Sequence, residues 1–430
     1  MHGLRCCINV TLGCFCHIFV KKTFDLILKR FKTIRVKRLW RMSHFRHIKP
    51  TGYDFFVEGK PKTLIWRKRM KKLLIATTAI AGLATVATPA MAQSLELDLG
   101  GFYRGYGVFA DSDATADTRD FDLRHDAEIH FTGETTLNNG LTVGVHAETE
   151  LAADANDLLA DDATDLSDQD EIYAYFSGQW GRVNLGQEDG AAYLLQVAAP
   201  SADSNVDGLR TYIQGFSDTS LDYAQDMGES AEKITYLTPK FSGFQAGVSY
   251  APEVSDDPNT VGNGVAAMNG EENDADYEDL MEIAARWDYA FDGFGLSLGA
   301  GYGTASNETN AGAATDDMDQ WNVGANLQWT AFEFGAAYLE NNSEDTNVDT
   351  DSETWTVGLG WANGPYTAGA TYYETDGDAA NTDAERWTVG GTYNYGPGMT
   401  FRGAVAFGET EAASTDEDFT QVTLGTEVNF

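Results

Sequence analysis

The chain has 430 residues, with 29 Lys and Arg against 66 Asp and Glu, a formal net charge of −37 and four cysteines. A polyanionic chain is repelled by phosphate backbones, which excludes nucleic acid as a partner. The charge points instead to attraction of cations, a high-salt habitat, or both.

The first 92 residues are unlike the rest. Residues 1–69 are basic and carry all the cysteines, Cys6, Cys7, Cys14 and Cys16. No His/Cys pair follows them at zinc-ligand spacing, which argues against a metal site. The segment reads as a mis-assigned upstream translation or an extended leader, outside the fold. At Met70 the sequence runs MKKLLIATTAIAGLATVATPAMAQS. Lys71 and Lys72 form a positive n-region, Leu73 to Val86 an apolar stretch, and Ala90-Met91-Ala92 a cleavage site, so 70–92 reads as a signal peptide cut before Gln93. The apolar run is too short for a spanning helix, which needs about 20 apolar residues.

Residues 93–430 are then the exported body. Of the basic residues 19 lie in 1–92, and of the acidic ones only Asp25, Asp54 and Glu58. The body therefore carries 10 basic and 63 acidic residues, a net of −53, and no cysteine. It must hold together without disulfides.

From Ser94 onward one unit recurs: a stretch of alternating polarity, then polar turn residues. The period predicts strands at 95–109, 120–136, 141–151, 171–177, 181–187, 233–238, 243–250 and 279–290. It predicts eight more at 294–303, 320–329, 332–339, 353–361, 366–374, 385–395, 399–407 and 419–430, sixteen in all. Helical patterning is absent outside 188–232. In the second strand Leu123, Ala127, Ile129 and Phe131 share one parity, while Asp122, Arg124, Asp126, Glu128 and His130 share the other. Trp321, Val323, Ala325, Leu327 and Trp329 repeat the pattern. Aromatic residues sit repeatedly at the ends of the apolar parity, as in the girdles of a transmembrane β-barrel.

A soluble sandwich also alternates, but a dry core could not hold the charged inward residues without large desolvation costs. Connection lengths alternate as well. Short turns fall at Asn138 to Gly140, Ser177 to Trp180, Asp292-Gly293, Thr330-Ala331, Asn363 to Pro365 and Gly396 to Gly398. Long acidic loops occupy 110–119, 152–170, 188–232, 251–278, 304–319, 340–352, 375–384 and 408–418. The expected fold is all-β: a 16-stranded antiparallel transmembrane β-barrel with short periplasmic turns and long outer loops. The last strand must pair with 95–109 to remove the sheet edges. Val422, Leu424, Thr426, Val428 and Phe430 should then face lipid, with Gln421, Thr423, Glu427 and Asn429 facing the channel.

Two stretches, EIYAYFSGQWGRVNLGQEDGAA (Glu171–Ala192) and KITYLTPKFSGFQAGVSY (Lys233–Tyr250), together with the terminal Phe430, resemble the Gram-negative general diffusion porin family, most of all its α-proteobacterial branch. The resemblance covers essentially all of 93–430. It implies a homotrimer in the outer membrane, in contact with lipid and lipopolysaccharide, whose pore admits small hydrophilic solutes. It implies that the third long loop, 188–232, folds inward to line the constriction, offering Asp203, Asp207 and Asp222 among its acids. It further implies a basic cluster on the opposite wall, for which Arg104, Arg124 and Arg182 are the candidates; Arg286, Arg386 and Arg402 share their inward parity. Phe430 would be read by the barrel-assembly machinery. An inward Arg can either line a constriction or neutralise a lumen carboxylate such as Asp126 or Glu128, and both readings stand.

Other chemistry is sparse. His125, His130 and His146 fall on neighbouring strands, but the opposite parity of His125 and His130 argues against a shared metal site and for ordinary barrel histidines. No metal or cofactor is expected, apart from Ca2+ held loosely by acidic runs such as Asp111 to Asp113 and Asp154 to Asp170. There is no G-x-S-x-G, Walker loop or C-x-x-C, which argues against an enzyme. The expectation is a passive, cation-preferring channel. A plugged structural or adhesive barrel, a substrate-specific channel and a secreted acidic sandwich are the alternatives.

Overall fold

The computed structural model describes residues 95–112, 120–151, 168–214, 221–228, 231–254, 277–307, 317–342, 344–345, 348–349, 351–377, 383–412 and 415–430. All lie in one of the two units into which the chain divides, Val86–Phe430. The expected leader and signal peptide fall outside the described residues, as do most of the acidic runs 152–170 and 251–278 and the end of Asp111 to Asp113.

Sixteen strands build the body. The first eight are β1 (Glu96–Ser112), β2 (Phe121–Thr136), β3 (Thr142–Glu150), β4 (Asp168–Gly178), β5 (Gly181–Gln187), β6 (Glu232–Leu237), β7 (Phe244–Glu253) and β8 (Tyr277–Phe291). The second eight are β9 (Phe294–Asn307), β10 (Met318–Trp329), β11 (Phe332–Asn342), β12 (Ser352–Asn363), β13 (Tyr366–Gly377), β14 (Ala384–Gly396), β15 (Met399–Ala412) and β16 (Thr415–Asn429). Each pairs antiparallel with its sequence neighbours, and β1 pairs with β16 to close the ring. A small separate pair, Glu344–Asp345 with Val348–Asp349, lies between β11 and β12.

Closure gives every strand two partners, the only way a sheet can satisfy its backbone groups in hydrocarbon. The closing register runs from Phe102 opposite Asn429 to Ser112 opposite Phe419. Beyond it, Gly101 and Phe430 exchange backbone hydrogen bonds, each 3.1 Å.

All sixteen expected strands are present. Several run further toward the long connections than alternation indicated, reaching Asn307 in β9 and Ala412 in β15. There, polar pairs such as Glu278 with Ser306 and Thr410 with Glu417 continue the backbone ladder without an apolar face to mark it. The short turns use glycine where the backbone turns left-handed, at Gly293 (φ 77°) and Gly364 (φ 59°), a conformation glycine adopts without a Cβ penalty.

The outer face is apolar and exposed, as at Leu99, Phe131, Val145, Ile283, Val357 and Leu424. Near the short turns Trp287, Tyr289, Phe291, Phe294 and Trp329 contact one another in series, with ring centroids 5.3–6.5 Å apart. Near the long connections Tyr338 packs between Trp321 (4.8 Å) and Trp355 (4.4 Å), and Tyr372 meets Trp387 at 4.6 Å. These are the two aromatic girdles.

Candidate functional site

The longest connection, between β5 and β6, lies inside the barrel. It contains two single helical turns, α1 (Ala191–Leu194) and α2 (Ser204–Asp207). On its outward course the segment follows the inner wall around the ring. Ala191 N–H donates to Ser249 Oγ on β7 (2.7 Å), Asn326 Nδ2 on β10 donates to the Ala198 carbonyl (2.8 Å), and Thr371 Oγ1 on β13 donates to the Pro200 carbonyl (3.3 Å). Asn205 then reaches β1 and β16, its Nδ2 donating to Tyr106 Oη and Glu427 Oε2, each at 3.0 Å.

The segment returns closer to the long-connection end. Arg386 on β14 donates to the Leu221 carbonyl, Tyr373 Oη on β13 to the Asp222 carbonyl, and Gln225 Nε2 to the Gln320 carbonyl on β10. Lys233 Nζ donates to the carbonyls of Glu188 and Gly228, stapling the start of the segment to its end. Leu195, Val197, Val206, Ile213, Leu221 and Tyr223 are buried against the wall. Each fully buried side chain of this size contributes about 1.5–3 kcal/mol, an upper bound set by the extended-chain reference.

Glycines let the segment lie this close. A Cβ at Gly324 would meet the Val197 carbonyl oxygen, and one at Gly358 the Pro200 carbonyl oxygen. At Gly299 it would stand 2.7 Å from Val197 Cγ2, and at Gly369 2.9 Å from the Ser201 carbonyl oxygen. The small inward residues of β9 to β13 therefore seat a second layer of chain.

The expected charged residues meet in part. Arg104 donates to Asp126 (Nη1 to Oδ2, 2.7 Å) and to Glu427 (Nε to Oε2, 3.3 Å), between the rings of Phe102 and Tyr212. Arg402 donates to the other Glu427 oxygen (3.1 Å) and to Asp203 Oδ1 (2.9 Å). Asp203 also accepts from Tyr106 Oη (3.0 Å) and caps α2 through the Asn205 N–H (3.2 Å). One chain of alternating charge thus ties β2, β1, β16 and β15 to the inward segment. Arg124 is half-buried and pairs with Tyr106 in the β1–β2 ladder. Arg182 stands apart, donating to Asn184 Oδ1 (2.6 Å) with its guanidinium over Tyr175.

Asp203 and Asp207 are turned into the wall, 1% and 0% exposed. Burial pushes the Asp207 carboxyl up from its ordinary value, opposed by Thr371 and the N–H groups of Ala202 and Asp203. Asp222 is half-buried, and its charge acts on Arg386. Burial also pushes Glu188 up, to about 7, against the pull of Asn184, Arg182 and Lys233. Phe430 is exposed.

Sequence reasoning missed Glu427 as the hub between two arginines. The signal was available only after closure, because the β1–β16 register sets Arg104 directly opposite Glu427. It also missed Arg210, which lies within the segment and bridges Asp189 (2.7 Å) and Asp226 (3.2 Å).

The wall of β2 to β4 carries a different set. His130 Nε2 is 2.9 Å from Glu128 Oε2, and its Nδ1 is 3.6 Å from Glu148 Oε1. His146 Nε2 is 2.7 Å from the same Glu148 oxygen. His125 does stand apart, stacked on Tyr103 on the outer face. His130 and His146 share the inward face, with their rings 6.1 Å apart. Comparing His125 with His130 could not reveal this, since the meeting comes from the β2–β3 register, which sets His130 opposite Glu148 and Thr132 opposite His146.

Comparisons with known proteins agree with this architecture. Among solved structures, an anion-selective porin from Comamonas acidovorans matches with a TM-score of 0.58 and 19% identity, covering 78% of this chain and all of that one. A mutant of the Rh. blastica porin matches at 0.51 and 19%, with the same coverage. An uncharacterised protein of Rickettsia conorii is 26% identical over 235 residues, 45% of this chain and 50% of its own length. One from Rickettsia prowazekii is 37% identical over 87 residues, 20% and 18% of the two chains. The chain thus spans half or less of the length of the curated relatives it matches. A family model described as Gram-negative porin matches residues 76–413, and with the sixteen-strand closed barrel it places this chain in the Gram-negative porin family.

Proposed function

We propose that the protein is a non-enzymatic outer-membrane pore that passes small hydrophilic solutes and ions passively, prefers cations, and works as a homotrimer. The observation that carries this reading is the unequal lining of the lumen. The inward segment is hydrogen-bonded to β7, β8, β10, β13 to β16 and β1, whereas β2 and β3 present Glu128, His130, His146 and Glu148 as partly exposed inward side chains. A narrow passage takes its selectivity from the polar groups on its walls. Here Arg104 and Arg402 are engaged by Asp126, Glu427 and Asp203, so the fixed charge left facing water is mainly acidic.

Arg104, Arg124 and Arg182 remain the basic side of the constriction in this proposal. The anion preference named for the Comamonas acidovorans protein does not carry over: the likeness is one of fold, and the body here is strongly acidic. Export by the 70–92 signal peptide, contact with lipopolysaccharide and use of Phe430 as an assembly signal belong to the same proposal.

Planar-bilayer recording across a KCl gradient tests it. A reversal potential of cation-selective sign is expected. Absence of conductance would favour a plugged structural barrel, and an anion-selective sign would refute the charge argument.

A further inference from the structure

The β2–β4 wall gathers imidazoles and carboxylates in register on its inward face. Glu128, His130 and Glu148 offer one ligand atom each, all within 4.8 Å of one another, and so do His146, Glu148 and Glu171. The two groups share Glu148 and lie on adjacent strands in register. Ligand atoms held about 2.0–2.2 Å from a zinc-like ion are themselves roughly 3–3.5 Å apart, so modest side-chain rotation closes either group around an ion.

Three features point to a cation. The first is orientation. Thr132 Oγ1 lies 2.7 Å from His146 Nδ1, which aims Nε2 at Glu148. An imidazole fixed through one nitrogen, with the other turned toward a carboxylate that a metal can share, is how metal-binding histidines are presented. With a metal on Nε2 the ring proton sits on Nδ1, and Thr132 Oγ1 can accept its hydrogen bond. The second is crowded negative charge. The strongest electrostatic neighbours of Glu171 are the acidic Asp189, Glu148, Glu188 and Asp170, with Lys233 as a weaker basic one. Those of Glu148 are the two histidines, and Arg104 is already shared between Asp126 and Glu427. The third is access, since His130 keeps 31% of its side chain exposed and His146 18%.

We propose that Glu128, His130, His146, Glu148 and Glu171 form a lumen-wall site for a divalent transition-metal cation, with Glu148 as the shared ligand. An imidazole beside two carboxylates, as in each group, favours copper(II), zinc or nickel over calcium and magnesium, which take oxygen ligands. The site depends on the strand register and not on whether the barrel conducts.

The experiment is copper(II) titration of the detergent-solubilised barrel body, residues 93–430, followed by electron paramagnetic resonance, with folding checked by heat-modifiable gel mobility. The only histidines in 93–430 are His125, His130 and His146. Nitrogen hyperfine structure is expected in the wild type and in His125→Gln. It should disappear in the His130→Gln/His146→Gln double variant, while Thr132→Val weakens binding by about tenfold. Excess Ca2+ should not displace the copper. An oxygen-only spectrum in the wild type, nitrogen coupling that survives in the folded double variant, or displacement by equimolar Ca2+ would overturn the proposal. Because binding is read without a membrane, a barrel that binds copper but does not conduct would refute the pore reading alone.

Discussion

The two sides of the lumen are built from different chemistry. From β9 to β13 the inner wall is mostly Gly, Ala, Thr and Asn, as at Gly299, Asn322, Gly324, Thr356, Gly358 and Thr371. From β2 to β4 it is Glu128, His130, His146, Glu148, Glu171 and Tyr173. The first wall has another layer of chain to accommodate, so it offers space and neutral hydrogen-bonding groups. The second faces water and can keep ionisable groups without burying them unpaired. One sheet thus serves as a docking surface on one side and a charged lining on the other.

The largest expected break in this contrast comes at the join between them. Asp203→Ala removes a buried carboxylate from Arg402 and the cap from α2. Breaking a buried pair by deleting one partner costs about 3–5 kcal/mol. The temperature of the heat-modifiable mobility shift should fall sharply, and single-channel current should become noisier as the segment loosens. Next is Gly358→Val, which drives a side chain into the Pro200 carbonyl and should cost about 1–3 kcal/mol by overpacking. Gly396→Val is its control, since a Cβ there meets nothing within 4 Å; equal destabilisation by both would refute the seating role.

A third test uses pH. Folding raises Glu188 from its ordinary 4.5 to about 7, so the native state holds this proton more tightly than the unfolded chain. Its contribution to stability is fully present below about 4.5 and is lost as pH rises through about 7, at up to about 1.4 kcal/mol per pH unit. The wild-type melting temperature should therefore gain more between pH 8 and pH 5 than that of Glu188→Gln. Smallest in stability is Glu148→Gln on the open wall, expected within about 0.5 kcal/mol. Its effect should appear in the reversal potential, which moves toward weaker cation preference.

How much of this was legible in the sequence follows from which interactions leave a local trace. A strand with one lipid face writes a period of two, so Trp321 to Trp329 announced itself, as did Val422 to Phe430. The loop-side ends of β9 and β15 carry no apolar parity and were read short. The inward segment carries no strand period; family resemblance supplied its place, and nothing local foretold the buried attitude of Asp203 and Asp207. Contacts such as Arg104 with Glu427, 323 residues apart, require the closing register before any pairing can be read. The meeting of His130 and His146 needed the neighbouring register in the same way.

The glycine seats carry a consequence for how such a protein changes over generations. The width left for a passing molecule is set by how deeply the second layer sinks into the wall, and that depth is governed by single carbon atoms at positions a solute never touches. A lineage could therefore narrow its molecular sieve one methyl group at a time, through substitutions such as Gly299→Ala, while leaving every lining charge in place. Size discrimination and charge discrimination would then be inherited on separate residues and could drift independently.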